Sequence, residues 1–141
     1  MFKIVTNLED LMKVFIVRGI VFMEEQNVPY RIEHDEYDYI STHVLGEENG
    51  EPFATGRIRT SGEYAKLERI AIRKRYRGKA LGYKLSEFMI SVAQKQGFKK
   101  YKVHAQAHLV NFYRNMRFEI VGELFQEAGI GHYLMIRDDS E

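Results

Sequence analysis

Five of the seven residues from Arg73 to Lys79 are arginine or lysine, and Gly78 among them is followed by Gly82. Basic side chains at that density, beside glycines that let backbone approach a ligand closely, are suited to holding an anion. Upstream, Leu67, Ile70 and Ile72 form a short apolar run with β-branched residues, which predicts a strand. Downstream, Leu81, Leu85, Phe88, Met89 and Val92 fall at helical spacing. A strand feeding a glycine-bearing loop and then a helix start is a phosphate-binding arrangement. The first helical turn has N–H groups without intrahelical partners, at the positive end of the helix dipole. The ligand implied is a phosphate or pyrophosphate, with Arg77 and Lys79 adding mobile charge. Neither the G-x-x-x-x-G-K-[ST] loop nor the G-x-G-x-x-G dinucleotide fingerprint occurs.

The other chemistry-bearing residues fall into two groups of opposite sign. Arg18 interrupts the apolar run from Phe15 to Met23. It belongs either on the polar stripe of a helix or in a cleft, where a guanidinium would hold a carboxylate or phosphate. Arg57 and Arg59 are two apart on an expected strand and so share a face. The segment from Glu33 to Asp38 is acidic, which fits a solvated loop or the lining of a site for a cationic amine. His34, Asp35, Asp38 and His43 have ligand chemistry but no recognised metal spacing, and no metal is expected. His104 and His108 straddle a strand-to-helix junction and read as structural.

Those residues need a scaffold. Phe2 to Val5 predicts a strand, and Thr6-Asn-Leu-Glu9 a capping box opening a helix that runs to Phe22. Pro29 stops simple continuation. Thr42–Glu48 and Pro52–Thr60 read as a hairpin turning at Asn49-Gly50. After the strand at Leu67–Ile72, a helix over 80–96 ends at Gly97. A strand at Lys100–Ala105, a short helix near His108–Met116, and strands at Phe118–Phe125 and His132–Arg137 follow. This order predicts a mixed α/β sheet, antiparallel at first, with a parallel strand-helix-strand unit at its centre.

The hexapeptide Arg77-Gly-Lys-Ala-Leu-Gly82 resembles the R/Q-x-x-G-x-G/A signature of the GNAT superfamily of acetyl-CoA-dependent N-acetyltransferases. Ala80 takes the place of the first signature glycine and is expected to lie already in the helix, where alanine has the best propensity. A second block, Gln106 to Phe118, resembles the family's polar residue at a strand end followed by F/L-Y-x-x-x-G-F. Tyr113 falls on the tyrosine and Phe118 on the last phenylalanine; Gln106 stands where many members have asparagine, and Arg117 replaces glycine. With Glu24–Pro29 and Ala128–His132, the resemblance runs from about Val17 to Ile136 and is closest to the ElaA/YjcF-like branch.

The resemblance implies one GNAT (acyl-CoA N-acyltransferase) domain over 1–141, a mixed sheet of about seven strands flanked by about four helices. It implies acetyl-CoA as cofactor and an amine of a small molecule or peptide as acceptor. Backbone N–H groups of Ile70 and Ile72 would hold pantetheine and polarise the thioester. The amides of Arg77, Gly78, Lys79, Ala80, Gly82 and Tyr83 would take the pyrophosphate, with Gln106 and Asn111 also at the cofactor. Tyr113 is the candidate acid for the departing thiolate, a phenol and an alkyl thiol having comparable ordinary pKa values. His132 and Glu68 are the candidate bases, Glu68 being expected on the same face as Ile70. Arg18, Arg57, Arg59 and Arg69 are candidate contacts for an anionic acceptor.

Two other function classes stay open: a non-catalytic acyl-CoA sensor of the same fold, and a nucleic-acid binder using residues 73–79 with Tyr76. A net charge of +1 gives no general attraction for nucleic acid or an anionic membrane, so neither is an expected partner. The absence of cysteine excludes a disulfide and a cysteinyl acyl intermediate, which favours direct transfer and suits a cytoplasmic setting. Glu9, Asp10 and Arg18 argue against a signal peptide or spanning helix. Unpaired sheet edges would permit a homodimer.

Overall fold

The computed structural model describes residues 1–141, whose strands form one seven-stranded sheet in the order β1-β2-β3-β4-β5-β7-β6. β1 (Phe2–Ile4), β2 (Thr42–Glu48), β3 (Glu51–Ser61) and β4 (Tyr64–Ile72) are antiparallel neighbours. β4 pairs in parallel with β5 (Lys100–Gln106), and β7 (Ile130–Asp138) lies between β5 and the edge strand β6 (Glu119–Glu127). The helices are α1 (Leu8–Arg18), α2 (Tyr30–Glu33), α3 (Leu81–Lys95) and α4 (Val110–Arg114). This is the mixed α/β sheet with four helices that the sequence predicts. No helix is long and apolar enough to cross a membrane.

Local chemistry explains most boundaries. Asn49 (φ 52°) and Gly50 (φ 82°) are both left-handed, as a two-residue type I′ hairpin turn requires. α1 starts one residue later than the predicted capping box: Asn7 is the cap, and its side chain accepts from the Asp10 amide at 2.8 Å. Past Arg18 the helix widens into a π-helical stretch, Gly19–Glu25, which ends before Pro29. α3 buries Leu81, Leu85, Met89 and Val92 against Leu67, Val103 and Ala105 of the sheet. Each such side chain contributes about 1.5–3 kcal/mol through removal from water. α1 and the π-helical stretch pack on the opposite face, where Val17 and Val21 meet Ala71.

The central strand is broken by a β-bulge. Arg57 pairs with Glu68 and Thr55 with Ala71, so Gly56 alone faces two residues, Arg69 and Ile70. Arg69 has φ 53°, a strained value for a residue with a side chain. Any Cβ on Gly56 would collide with the Met89 side chain of α3, which explains a glycine opposite the bulge. The bulge shifts strand alternation. Leu67, Ile70 and Ile72 all pack toward α3, whereas Glu68 lies on the α1 face. The expectation that Glu68 and Ile70 share a face is therefore wrong, because two-residue alternation fails where an extra residue is inserted.

Candidate active site

β4 and β5 separate immediately beyond the bulge's approach. Their parallel register ends at Leu67–Val103, although β5 continues to Gln106 and β4 to Ile72. Arg73 N–H donates to Phe53 O at 2.8 Å, which makes the preceding Ile72 a non-hydrogen-bonded position on the β3 side. The Ile72 N–H consequently faces the wedge vacated by β5. A cleft of about 1140 Å³ occupies this wedge, lined by β4, the 77–83 loop, the end of β5, α4 and the β6–β7 hairpin. That is above the usual range for a small-ligand pocket, room for a cofactor and a second molecule.

The anion end is built from backbone. Gly78 (φ 83°) and Ala80 (φ 60°) both turn left-handed. Ala80 is the N-cap of α3 and provides no capping side chain, so the amides of Leu81, Gly82 and Tyr83 remain available to a ligand. Concave rows of amides at a helix start bind phosphate oxygens. The sequence expectation that Ala80 already lies in the helix is corrected: it holds the glycine-like conformation. A left-handed alanine costs about 1–2 kcal/mol, partly offset by the lower unfolded-state entropy of alanine. Ala80→Gly is expected to stabilise the fold by about 0.5–1 kcal/mol, seen as a higher urea midpoint at unchanged slope.

Arg77 is not mobile. Its guanidinium forks onto Glu25 at 2.6 and 2.7 Å, and its Nε donates to Ile72 O at 2.8 Å, tying the loop to the end of the π-helical stretch. Gly78, Gly82 and Tyr83 line the cleft with Ile70, Ile72 and Gln106. Lys79 and Asn111 do not; both are exposed outside it. Of Lys79 the backbone amide belongs to the same loop, while Asn111 stands on the exposed side of α4.

Two groups able to move protons, Tyr113 and His132, line the cleft. Tyr113 of α4 is buried between Phe112 and Phe118, and burial pushes its phenol well above the ordinary value, so it stays protonated. His132 lies within β7 rather than before it, in register with Gln106 of β5 and Phe125 of β6. Its Nδ1 is 2.6 Å from Ile130 O and must donate to that carbonyl, which leaves the Nε2 lone pair free in the neutral ring. Glu127 Oε2 is 3.7 Å from Nε2, and the other oxygen of Glu127 is 2.8 Å from His104 Nδ1. His104 and His108, which the sequence reads as structural, both line the cleft. For His104, strand alternation from the buried Tyr101, Val103 and Ala105 carried that signal. Glu127 had none, because only the β6–β7 register brings it to the site.

The predicted acceptor residues separate. Arg18 is 1% exposed and is neither a surface charge nor a cleft residue: it binds Glu33 and Asp38 inside the protein. Arg57, also 1% exposed, binds Asp35, Asp38 and Glu68. Both are corrected, since no donor of either reaches the cleft. Arg69 lines the cleft, but is held by Glu33 O at 3.0 Å and Asp35 at 3.1 Å. Arg59 keeps the larger part of its guanidinium free: Nε binds Glu68 at 2.9 Å, both Nη groups are without a partner, and the plane rests 4.0 Å from the Tyr37 ring centroid. Glu68 is corrected as a base. Burial raises its pKa, but the Arg59 hydrogen bond and the Arg57 and Lys66 charges overcome this and hold it at about 2. The acidic segment 33–38 is likewise consumed by internal arginines. His34 and His43 both turn to Asp38, and no group of three or more His, Asp or Glu side chains converges on a metal position.

This geometry has counterparts. The family model described as acetyltransferase (GNAT) domain matches residues 19–138. The chain is 35% identical to the uncharacterized N-acetyltransferase YjcF of Bacillus subtilis, covering 96% of this chain and 97% of YjcF. The crystal structure of Escherichia coli ElaA superposes with a TM-score of 0.89 at 28% identity, covering 98% of this chain and 99% of ElaA. A GNAT family acetyltransferase from Elizabethkingia anophelis, solved with acetyl-CoA bound, shares the fold at TM-score 0.70 and 14% identity, covering 98% and 97% of the two chains. With most of its length matched in this way, the chain belongs to the GNAT acetyltransferase family.

Proposed function

We propose that residues 1–141 work as one acetyl-CoA-dependent N-acetyltransferase domain that moves the acetyl group directly onto a primary amine. The observation that carries this reading is the wedge between β4 and β5, with a free Ile72 amide on one wall and the uncapped start of α3 at its mouth. A thioester needs a donor at its carbonyl oxygen, and a pyrophosphate needs a row of amides; the wedge offers both in line. Family membership and the acetyl-CoA-bound neighbour of the same fold support the cofactor.

The residues present then divide the work. Amides of 77–83 hold the pyrophosphate oxygens, and the Ile72 N–H, with Ile70 beside it, lies along the pantetheine arm. His132 Nε2 accepts a proton from the acceptor's ammonium, releasing the attacking lone pair, and Glu127 stabilises the imidazolium that forms. The amine nitrogen bonds to the acetyl carbon and the carbon–sulfur bond breaks. As Tyr113 gives its proton to the leaving thiolate, it takes the surplus proton from the new amide nitrogen, so that the phenol is restored and the amide leaves neutral. With no cysteine in the chain, no thiol is present to carry the acetyl group between two half-reactions.

Initial rates varied in both substrates should give intersecting double-reciprocal lines, as a ternary complex requires; parallel lines would contradict direct transfer. Tyr113→Phe is expected to lower kcat on the order of 100-fold with little change in acetyl-CoA affinity. Equal kcat in the variant would remove Tyr113 from the mechanism.

A further inference from the structure

Arg59 of β3, Lys66 of β4 and Lys102 of β5 stand in register on neighbouring strands and one face of the sheet. Like charges directly opposite one another are unfavourable, and strands are only about 4.8 Å apart. Lys102 leans away over Tyr64, its ammonium 5.3 Å from the ring centroid. Arg59 and Lys66 do not lean away; both line the cleft. The one carboxylate in salt-bridge contact with them is Glu68, and it already serves Arg57.

The imbalance is specific to this end. In the connected cluster, Arg18, Arg57, Arg59, Lys66 and Arg69 face only Glu33, Asp35, Asp38 and Glu68. Most of the surplus donors belong to Arg59 and Lys66, since Arg69 spends Nε and Nη2 on Glu33 and Asp35 and keeps Nη1 alone. Arg59 uses Nε alone, leaving both Nη groups without a protein partner, and stacking on Tyr37 fixes their plane. Lys66 is 8% exposed, and its ammonium meets only Glu68, at 3.1 Å. A buried ammonium with donors to spare and a locked guanidinium fork form a built site for an oxyanion. Across the same face, Glu127 beside His132 offers the opposite charge.

Resting on the acetyltransferase reading, we infer that the acceptor is a primary amine that also carries a carboxylate or phosphate. Arg59 and Lys66 hold the anionic group while Glu127 draws the ammonium toward His132. Arg59 and Lys66 are the specificity-determining residues of this inference.

The test uses matched acceptors with acetyl-CoA and follows release of free CoA thiol. Amino acids are paired with their amides, and phosphoethanolamine with ethanolamine, so the two arms separate carboxylate from phosphate recognition. The expected result is at least a tenfold preference in kcat/KM for the anionic member in one arm. Arg59→Gln should erase that preference, Arg59→Lys should restore part of it, and calorimetric affinity for acetyl-CoA should not move in either. Lys66→Met is the independent variant should Arg59→Gln fold poorly. Equal or better turnover of the members without the anionic group overturns the inference and leaves acetyl transfer standing. If acetyl-CoA binds without turnover of any acceptor, the same pairs are titrated in the presence of CoA, and no preference there overturns it too. Absence of acetyl-CoA binding sinks the underlying reading itself.

Discussion

Asp38→Ala is expected to remove about 3–5 kcal/mol of folding stability, the usual cost of leaving buried charge uncompensated. Asp38 is the hub of the internal network. Its carboxylate meets Arg18 and Arg57, accepts from the Asp35 amide at 3.2 Å and lies 2.9 Å from His34 Nδ1. Removing it leaves two arginines, each 1% exposed, without their shared partner. Burial raises the Asp38 pKa, but the Arg18 and Arg57 contacts overcome it and hold the carboxyl well below the usual range. Asp35 and Glu68 are lowered for the same reason. A carboxyl with a depressed folded pKa stabilises the fold at pH above its unfolded value and loses that contribution as pH falls toward the folded one. Stability of the wild type should thus decline gently below about pH 6.5, where burial of His43 holds its imidazole neutral in the fold while the unfolded chain takes up the proton. It should fall more steeply from about pH 4.5 downward as the carboxyls protonate. Asp38→Ala should begin lower and fall less. Urea denaturation across pH 3–7 measures both effects, and an Asp38→Ala midpoint close to wild type would show that the network is not structural.

His132→Ala is expected to lower kcat for acetyl transfer on the order of 1000-fold, within the range for removing a proton-transfer group. The ring is 6% exposed, stacked near Phe125 and fixed through Nδ1, so truncation leaves the anion loop untouched. Acetyl-CoA affinity should therefore stay at the wild-type level while kcat collapses, the signature of an interaction used only in the transition state. Glu127→Gln, which keeps the shape but removes the charge beside Nε2, should give a smaller loss. A loss in acetyl-CoA affinity matching the loss in kcat would reassign His132 to binding.

Much of the scaffold was legible because its signals are local. Asn49-Gly50, the helical spacing of Leu81, Leu85, Met89 and Val92, and the basic glycine loop each depend on near neighbours in the chain. The bulge was present in the sequence as a three-residue gap between Leu67 and Ile70, but alternation alone does not tell an insertion from an irregular strand. What escaped is everything set by register and by charge pairing across long loops. Arg18, Arg57 and Arg59 are identical in type, yet two are locked inside by Glu33, Asp35 and Asp38 and one opens onto the cleft. Their difference arises from α2 and the turn after it folding back over β3 and β4. Lys66 and Glu127 likewise become site residues only when β4, β5, β7 and β6 are laid side by side. Ala80 shows the reverse limit: a residue with the best helix propensity holds a left-handed cap because the loop geometry outweighs a preference of about 1 kcal/mol.

The most direct measurement is a calorimetric titration with acetyl-CoA on the wild type and on Gly82→Glu. Gly82 lies in the first turn of α3, and a Cβ there would meet only the Phe112 ring, at ordinary contact distances of 3.8 and 3.9 Å, so the variant keeps its fold. The added carboxylate would stand among the amides assigned to the pyrophosphate. Micromolar binding to the wild type that is lost in Gly82→Glu is the expected result. Absence of binding to the wild type, or equal binding by both proteins, would contradict the assignment of this loop to the cofactor.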